Sequence, residues 1–235
     1  MIAFFKLILY TPLLNSLVFL YHNVAFQDLG IAIVLLTLII RFILYPLFYK
    51  SFLNQTLMQK LQPEITRLQY EHKHDKEKQA QALLALYREH KVNPFSSFLL
   101  LLVQLPILIA LYHVFLNPPV ELSPMFLGLI DLSKTSIMIV GLAAIAQYIQ
   151  GKLTLPKTKP GVEVPQVTKI AQQMVYIGPA ITLLILWRLP AAIGLYWLIS
   201  SAFSLFQQIY INKKIEKKYG NLKTDNSTNI GKDRI

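Results

Sequence analysis

Long apolar runs constrain the fold of this chain more than any other feature. An α-helix needs about 20 mostly apolar residues to cross the hydrocarbon core of a bilayer. The region from Met174 to Asn212 is apolar for about 39 residues, which suits two crossings divided near Arg188-Leu189-Pro190. The candidate spans are 29–49, 95–116, 135–151, 174–189 and 190–211. The pattern predicts an all-α polytopic membrane protein with five core transmembrane helices inside residues 29–212.

The composition favours the same class and excludes several kinds of chemistry. Hydrophobic residues make up 54% of the 235-residue chain and charged residues 15%, against roughly 25% charged in a typical soluble domain. The absence of cysteine excludes a disulfide framework, a thiolate metal site and a cysteine nucleophile. No glycine-rich nucleotide motif is present. We therefore expect no enzyme activity, no cofactor and no metal.

The basic residues predict the orientation in the membrane. Nineteen of the 23 lysines and arginines fall in three segments, 50–94, 152–169 and 212–235. With five spans, all three segments lie on one side of the bilayer. The excess of positive charge on cytoplasmic loops then places the N-terminus outside and the C-terminus in the cytoplasm.

Three segments flank or interrupt the spans. Residues 1–28 are predicted to form an extracytoplasmic interfacial segment with an amphipathic helix, and a sixth span is the alternative. The predicted apolar face of this helix consists of Leu13, Leu14, Leu17, Val18, Tyr21 and Val24. Residues 50–94 are predicted to form a cytosolic helical hairpin, because apolar stripes at helical spacing lie on both sides of a charged tip. The stripes are Leu57, Leu61, Ile65 and Leu68, and Leu83, Leu86, Tyr87 and His90. Residues 213–235 form a basic cytosolic tail, whose charge suits anionic lipid or ribosomal RNA.

One arginine lies in the middle of an apolar span. Arg41 would cost between about 2.5 and 17 kcal/mol at the bilayer centre, depending on how far water and side-chain extension relieve it. No other predicted span contains an Asp or Glu, since Asp28 and Asp131 fall at span edges. Arg41 is therefore predicted to face a water-filled cavity or a negative charge that arrives from elsewhere. The alternative is a structural bridge to backbone carbonyls and to serine or glutamine side chains.

Polar residues at helical spacing predict a hydrophilic groove around this arginine. Steps of three and four place Trp197, Ser200, Ser201, Ser204, Gln207 and Gln208 on one face of the last span, with Tyr196 at its border. Thr37 precedes Arg41 by one turn, and Gln104, Gln147 and Gln150 add amides from other spans. The predicted groove residues are Arg41, Thr37, Gln104, Gln147, Tyr196, Trp197 and Ser204. Small polar residues also form hydrogen bonds between helices within membranes. For any single residue of the predicted groove, this structural role is the alternative.

Five motifs in order resemble the YidC/Oxa/Alb family of membrane protein insertases. The motifs are LTLIIRFILYPL at 36–47, LQPEI at 61–65, LYREHKVNP at 86–94, QLPI at 104–107, and LYW at 195–197 followed by Gln207-Gln208. They extend from the first span to the last. The chain is similar to a minimal bacterial member, without a large extracytoplasmic domain.

The resemblance implies a function as well as a fold. It implies five core spans, a cytosolic hairpin after the first span and an amphipathic helix before it. It implies insertion and folding of membrane proteins through a hydrophilic groove, without nucleotide hydrolysis, in the bacterial inner membrane. The groove arginine matches Arg41, and Thr37, Trp197, Ser204 and Gln147 match polar groove positions less securely. Implied partners are nascent membrane proteins and lipids, with the ribosome and the Sec translocon as further candidates and no DNA.

Two other functions are compatible with such a chain. A small-solute transporter or channel would need a pathway open to both sides of the membrane. A structural assembly factor would hold other membrane subunits without inserting them. Neither paired half-helices nor an internal repeat favours the transporter.

Overall fold

The computed structural model describes residues 2–93, 95–116, 119, 121–153, 155 and 166–229, and these residues are mostly helical. The helices are α1 Ile2–Phe5, a π-helical segment Lys6–Tyr10, α2 Thr11–Asn23, α3 Leu29–Ile43, α4 Tyr45–Glu71, α5 Lys76–Glu89, α6 Ser96–Leu116, α7 Ile137–Leu153, α8 Gln166–Leu186 and α9 Ala191–Asn229. An antiparallel pair joins β1 (Met125–Phe126) to β2 (Ile130–Asp131). The helical content agrees with the all-α prediction, to which the structure adds this short β pair.

The described helices differ in how well they suit a membrane by length and composition. The segment Ala191–Ile215 of α9 is long and apolar enough to cross a bilayer. The pair α3 and α4 passes the same test only when taken together, and the two helices are bent by 67°. Leu102–Leu116, Ile137–Leu153 and Gln172–Leu186 are apolar but shorter. The five spans therefore stay a prediction.

The bend between α3 and α4 falls inside the first predicted span. α3 ends at Ile43, and α4 begins at Tyr45 with Pro46 in its first turn. A proline has no N–H to donate to the carbonyl four residues earlier, here that of Phe42, and its ring crowds that carbonyl. The segment 29–49 is therefore bent, and Arg41 lies in the last turn of α3 rather than in the middle of one helix.

The main apolar core lies among α2, α3, α6, α7 and α9. α2 buries Leu17, Leu20 and Tyr21 in this core. Leu17 and Tyr21 belong to the apolar face that the sequence predicts, whereas Val24, predicted on the same face, is exposed. α2 thus packs on the helical core through part of the predicted face.

α4 and α5 pack against each other. Leu61, Ile65, Leu86 and Val92 form a separate apolar cluster between them. At the turn, Asp75 caps α5 by accepting a hydrogen bond from the Lys78 amide at 3.0 Å. Leu61, Ile65 and Leu86 belong to the stripes predicted from helical spacing, and Val92 does not.

Asp28 and the β pair fix the start of α3. Asp28 Oδ1 accepts a hydrogen bond from the Ile31 amide at 2.8 Å, and its Oδ2 accepts one from the Leu127 amide at 2.5 Å. The Phe126 ring lies directly over Gly30, where a Cβ would overlap ring carbon Cδ2. Gly30 is thus required by the close approach of the β pair.

Candidate functional site: the arginine between α3 and α9

Arg41 lies in the contact between α3 and α9 and is only 6% exposed. Its Nη1 donates a hydrogen bond to Ser204 Oγ at 2.9 Å. Its guanidinium carbon lies 4.3 Å from the centre of the Phe48 ring, which suits a cation–π contact. The bend at Leu44 brings Phe48 back toward Arg41, because without it α4 would continue away along the axis of α3.

Arg41 has no acidic partner within the described residues. The ion pairs found there involve Arg67, Lys78, His90 and Lys134 instead. A guanidinium carries five N–H donors, and the bond to Ser204 uses one of them. A buried charge is costly unless it is paired and hydrogen-bonded. The arrangement therefore favours binding of an acidic or polar group at Arg41.

The neighbouring face of α9 carries buried polar side chains. Ser200, Ser201, Ser204, Gln207 and Gln208 are each at most 7% exposed. The side-chain oxygens of Gln207 and Gln208 are buried and accept no hydrogen bond from the described residues. An unpaired buried acceptor costs about 1–3 kcal/mol, so water or a ligand N–H would stabilise both. The polar face that the sequence predicts on α9 is therefore largely buried, and two of its side-chain oxygens accept no hydrogen bond from the described residues.

Part of this face joins helices. Gln208 Nε2 donates to Thr56 Oγ1 and to Asn212 Oδ1, both at 2.9 Å, and Thr56 Oγ1 donates to Asn212 Oδ1 at 2.9 Å. Gln207 Nε2 donates to the Tyr45 carbonyl at 3.3 Å. These bonds connect α4 to α9, which is the helix-joining role considered as the alternative for individual polar residues.

Other predicted groove residues have separate partners. Thr37 is 1% exposed and donates to the Ile33 carbonyl of its own helix at 2.6 Å. Gln104 of α6 donates to the hydroxyl of the buried Tyr196 on α9. Trp197 is partly buried and packs against the main apolar core. Arg41 and Ser204 are thus in direct contact, while Gln104 and Tyr196 form a second polar pair.

Gln147 makes a different contact. Its side-chain oxygen accepts a hydrogen bond from Thr182 Oγ1, which joins α7 to α8. The sequence predicts Gln147 in the groove, and whether it contacts a substrate there stays a prediction. Phe48, Thr56 and Asn212 were not predicted as parts of the site. Pro46 is the signal that could have indicated a bend and hence a contact with Phe48.

Two clefts among the described residues lie away from Arg41. One cleft of about 720 Å³ is lined in part by Leu14, Phe19 and Glu121, and another of about 380 Å³ lies between α4 and α6. Arg41 lines neither cleft. No three His, Asp or Glu side chains in the described parts of the chain are arranged to hold a metal ion.

Comparisons with known proteins identify the family. Residues 19–218 match the family described as 60Kd inner membrane protein. A Geobacter sulfurreducens protein named Membrane protein insertase YidC is 35% identical over 208 residues, covering 87% of this chain and 37% of the relative. The Magnetococcus marinus protein of that name is 36% identical over 199 residues, covering 83% and 34%. The Clostridium tetani protein of that name is 37% identical over 190 residues, covering 81% and 84%.

The chain spans a little over a third of the length of the Geobacter and Magnetococcus relatives and most of the Clostridium one. The matched region contains Arg41, Ser204 and every other predicted groove residue. The resemblance read from the five motifs is thereby confirmed, and the chain belongs to the 60Kd inner membrane protein family, which is the family of the YidC and Oxa insertases.

Proposed function

We propose that this chain inserts integral membrane proteins into the bacterial inner membrane and helps them fold. The observation that carries the proposal is Arg41, a buried cation without an acidic partner among the described residues. Unused acceptors on α9 lie on the same helix as its partner Ser204. The names of the relatives, all membrane protein insertases, support the same function.

The proposed topology follows the distribution of charge. Five core spans lie within residues 29–212, with residues 1–28 at the outer surface and residues 50–94 and 213–235 in the cytoplasm. The helix Ile137–Leu153 has 17 residues and a length of about 25 Å, against a hydrocarbon core of about 30 Å. Such a short span is accommodated by local thinning of the bilayer. Thinning shortens the distance that a polar client segment must cross.

In the proposed mechanism, Arg41 attracts a polar or acidic tail of the client. Two unit charges about 4 Å apart interact by roughly 4 kcal/mol at an effective dielectric constant near 20. This attraction offsets part of the cost of bringing the tail to membrane depth. The hydrophobic helix of the client then moves into lipid along the exposed apolar faces of α7 and α9. Removal of its apolar surface from water supplies the driving force, so nucleotide hydrolysis is not required.

Client access to Arg41 requires a local rearrangement. With 6% of Arg41 exposed, a carboxylate must displace the Ser204 hydroxyl or the Phe48 ring to reach the guanidinium. Hydrogen bonds to charged groups contribute about 1.5–3 kcal/mol. The bond from Arg41 to the Ser204 hydroxyl is already charge-assisted through its donor, and a carboxylate in place of the hydroxyl adds the attraction of an opposite charge. The exchange of partners therefore favours the client with the acidic tail.

Substitution of Arg41 tests the proposal. Purified protein in liposomes is given a single-span client with an acidic tail, and insertion is measured for Arg41→Ala and Arg41→Lys. We expect loss with alanine and retention with lysine, because lysine keeps the charge. Arg67→Ala serves as the control, since Arg67 is exposed and its ion pair among the described residues is with Glu71, one turn away. Equal insertion by the alanine and lysine variants would refute the electrostatic role of Arg41.

A further inference from the structure

A cleft between the beginning of α4 and the beginning of α6 has a cation and polar groups at one end and apolar side chains at the other. Its volume is about 380 Å³, within the range of small-ligand sites. The side chains that carry the argument are Leu47, Lys50, Ser51, Asn54, Leu99 and Leu102. None of them belongs to the site around Arg41.

The polar end of the cleft holds a positive charge. Ser51 Oγ donates to the Ser96 carbonyl at 3.1 Å, which fixes α4 against α6. Lys50 is exposed and takes part in none of the ion pairs found among the described residues. Asn54, one turn further along α4, lines the same cleft. An ammonium group and an amide one helical turn apart on the same face of α4 suit a phosphate group.

The other end of the cleft is apolar. Leu99 and Leu102 follow Ser96 by three and six residues in α6, which places them about 4.5 and 9 Å further along the helix axis. They are 48% and 52% exposed, so the described protein covers only part of each side chain. Leu47 adds apolar surface from α4. A cleft with a cation at one end and apolar side chains at the other matches a phospholipid, which has a charged headgroup and apolar acyl chains.

We propose that this cleft binds one anionic phospholipid of the cytoplasmic leaflet. Lys50 and Asn54 hold the phosphate, and an acyl chain lies along Leu99 and Leu102. The proposal rests on the topology in the proposed function, because residues 50–94 must be cytoplasmic for Lys50 to lie at the headgroups of that leaflet. Anionic lipids make this leaflet negative, and basic pockets between helices on this side bind lipid headgroups.

The test is lipid retention by the purified chain of 235 residues. The protein in detergent is titrated with phosphatidylglycerol or phosphatidylcholine, and the bound lipid is measured by native mass spectrometry. We expect tighter retention of phosphatidylglycerol. Lys50→Gln should weaken it about fivefold, because a lysine near a membrane surface contributes about 1 kcal/mol. Leu99→Trp should fill the apolar end and abolish the difference between the two lipids.

Two matched controls separate the cleft from general attraction. Lys73→Gln removes the same charge at the exposed turn after α4, and Leu105→Trp adds the same bulk on α6 outside the cleft. Both should retain the lipid as the unmodified chain does. Equal weakening by Lys50→Gln and Lys73→Gln would overturn the proposal. Retention of phosphatidylglycerol that is unchanged in Lys50→Gln would also overturn it.

The measurement is independent of the proposed insertase function. Lipid retention is measured without a client, whereas insertion is measured in liposomes with Arg41→Ala. If the chain shows no selective lipid retention but inserts the client in a way that depends on Arg41, the lipid proposal fails and the insertase function stands. If the chain retains phosphatidylglycerol selectively but inserts no client, the insertase function fails and the lipid proposal stands.

Discussion

Removal of the hydroxyl that binds Arg41 should reveal how strongly the buried cation depends on it. Ser204→Ala deletes the acceptor of the 2.9 Å hydrogen bond from Arg41 Nη1. Interhelical hydrogen bonds in membranes average about 0.6 kcal/mol, and charge-assisted bonds are roughly twice as strong as neutral ones. We therefore expect a coupling free energy of about 1–2 kcal/mol between Arg41 and Ser204.

A double-mutant cycle measures this coupling. The free energy of unfolding in mixed micelles of detergent and dodecyl sulfate is determined for the unmodified chain, Arg41→Leu, Ser204→Ala and the double variant. Ser204→Ala should destabilise the chain that retains Arg41 and have little effect in the Arg41→Leu background. The matched cycle uses Ser201→Ala, a buried serine on the same helix without a described contact to Arg41. A coupling below about 0.3 kcal/mol, or an equal coupling to Ser201, would refute the reasoning.

Three further predictions concern local contacts at the start of α3 and the start of α5. Gly30→Ala should destabilise the protein by about 1–3 kcal/mol, because its Cβ would overlap the ring and the Cβ of Phe126; denaturation should show a smaller loss in a Phe126→Gly background, which lacks all of these atoms. Asp28→Ala should lower the free energy of unfolding by about 1–2 kcal/mol, since Asp28 accepts hydrogen bonds from two backbone amides, and Asp28→Asn should lower it less. The pKa of Asp75 lies below its usual value because the Lys78 amide donates to it. The cap that Asp75 forms on α5 should persist above about pH 4 and be lost as the pH falls through this lowered pKa. Amide hydrogen exchange at the start of α5 measures the loss, with Asp75→Ala as the uncapped reference.

Periodicity and length predicted the elements of the fold better than the contacts between them. Apolar spacing indicated that Leu61, Ile65 and Leu86 would be buried, because residues three or four apart share a helix face. The bend before Pro46 was not predicted, since a proline in the first turn of a helix is compatible with either a bend or a new helix. Strands of two residues, as in β1 and β2, are too short to show a period.

The polar residues of the site could be predicted from sequence more readily than their contacts or their burial. The helical spacing placed Ser204 on a polar face and identified Arg41 as a cation in an apolar segment. Spacing does not say which neighbouring helix a face meets, and so Gln147 could not be assigned to Thr182 on α8. Phe48 could not be assigned to Arg41 for a related reason, because their contact depends on the direction that the chain takes after α3.

The bonds from Thr56 to Gln208 and Asn212 divide α4 into two mechanical parts. The part up to Thr56 is fixed to α9 by these bonds and by Phe48 and Phe52, which pack with Ile211 and Ile215. The remainder, from Pro63 onward, packs mainly against α5 among the described residues. A force that acts on the turn between α4 and α5 would therefore tilt the part of α4 from Pro63 onward while the surroundings of Arg41 stay in place.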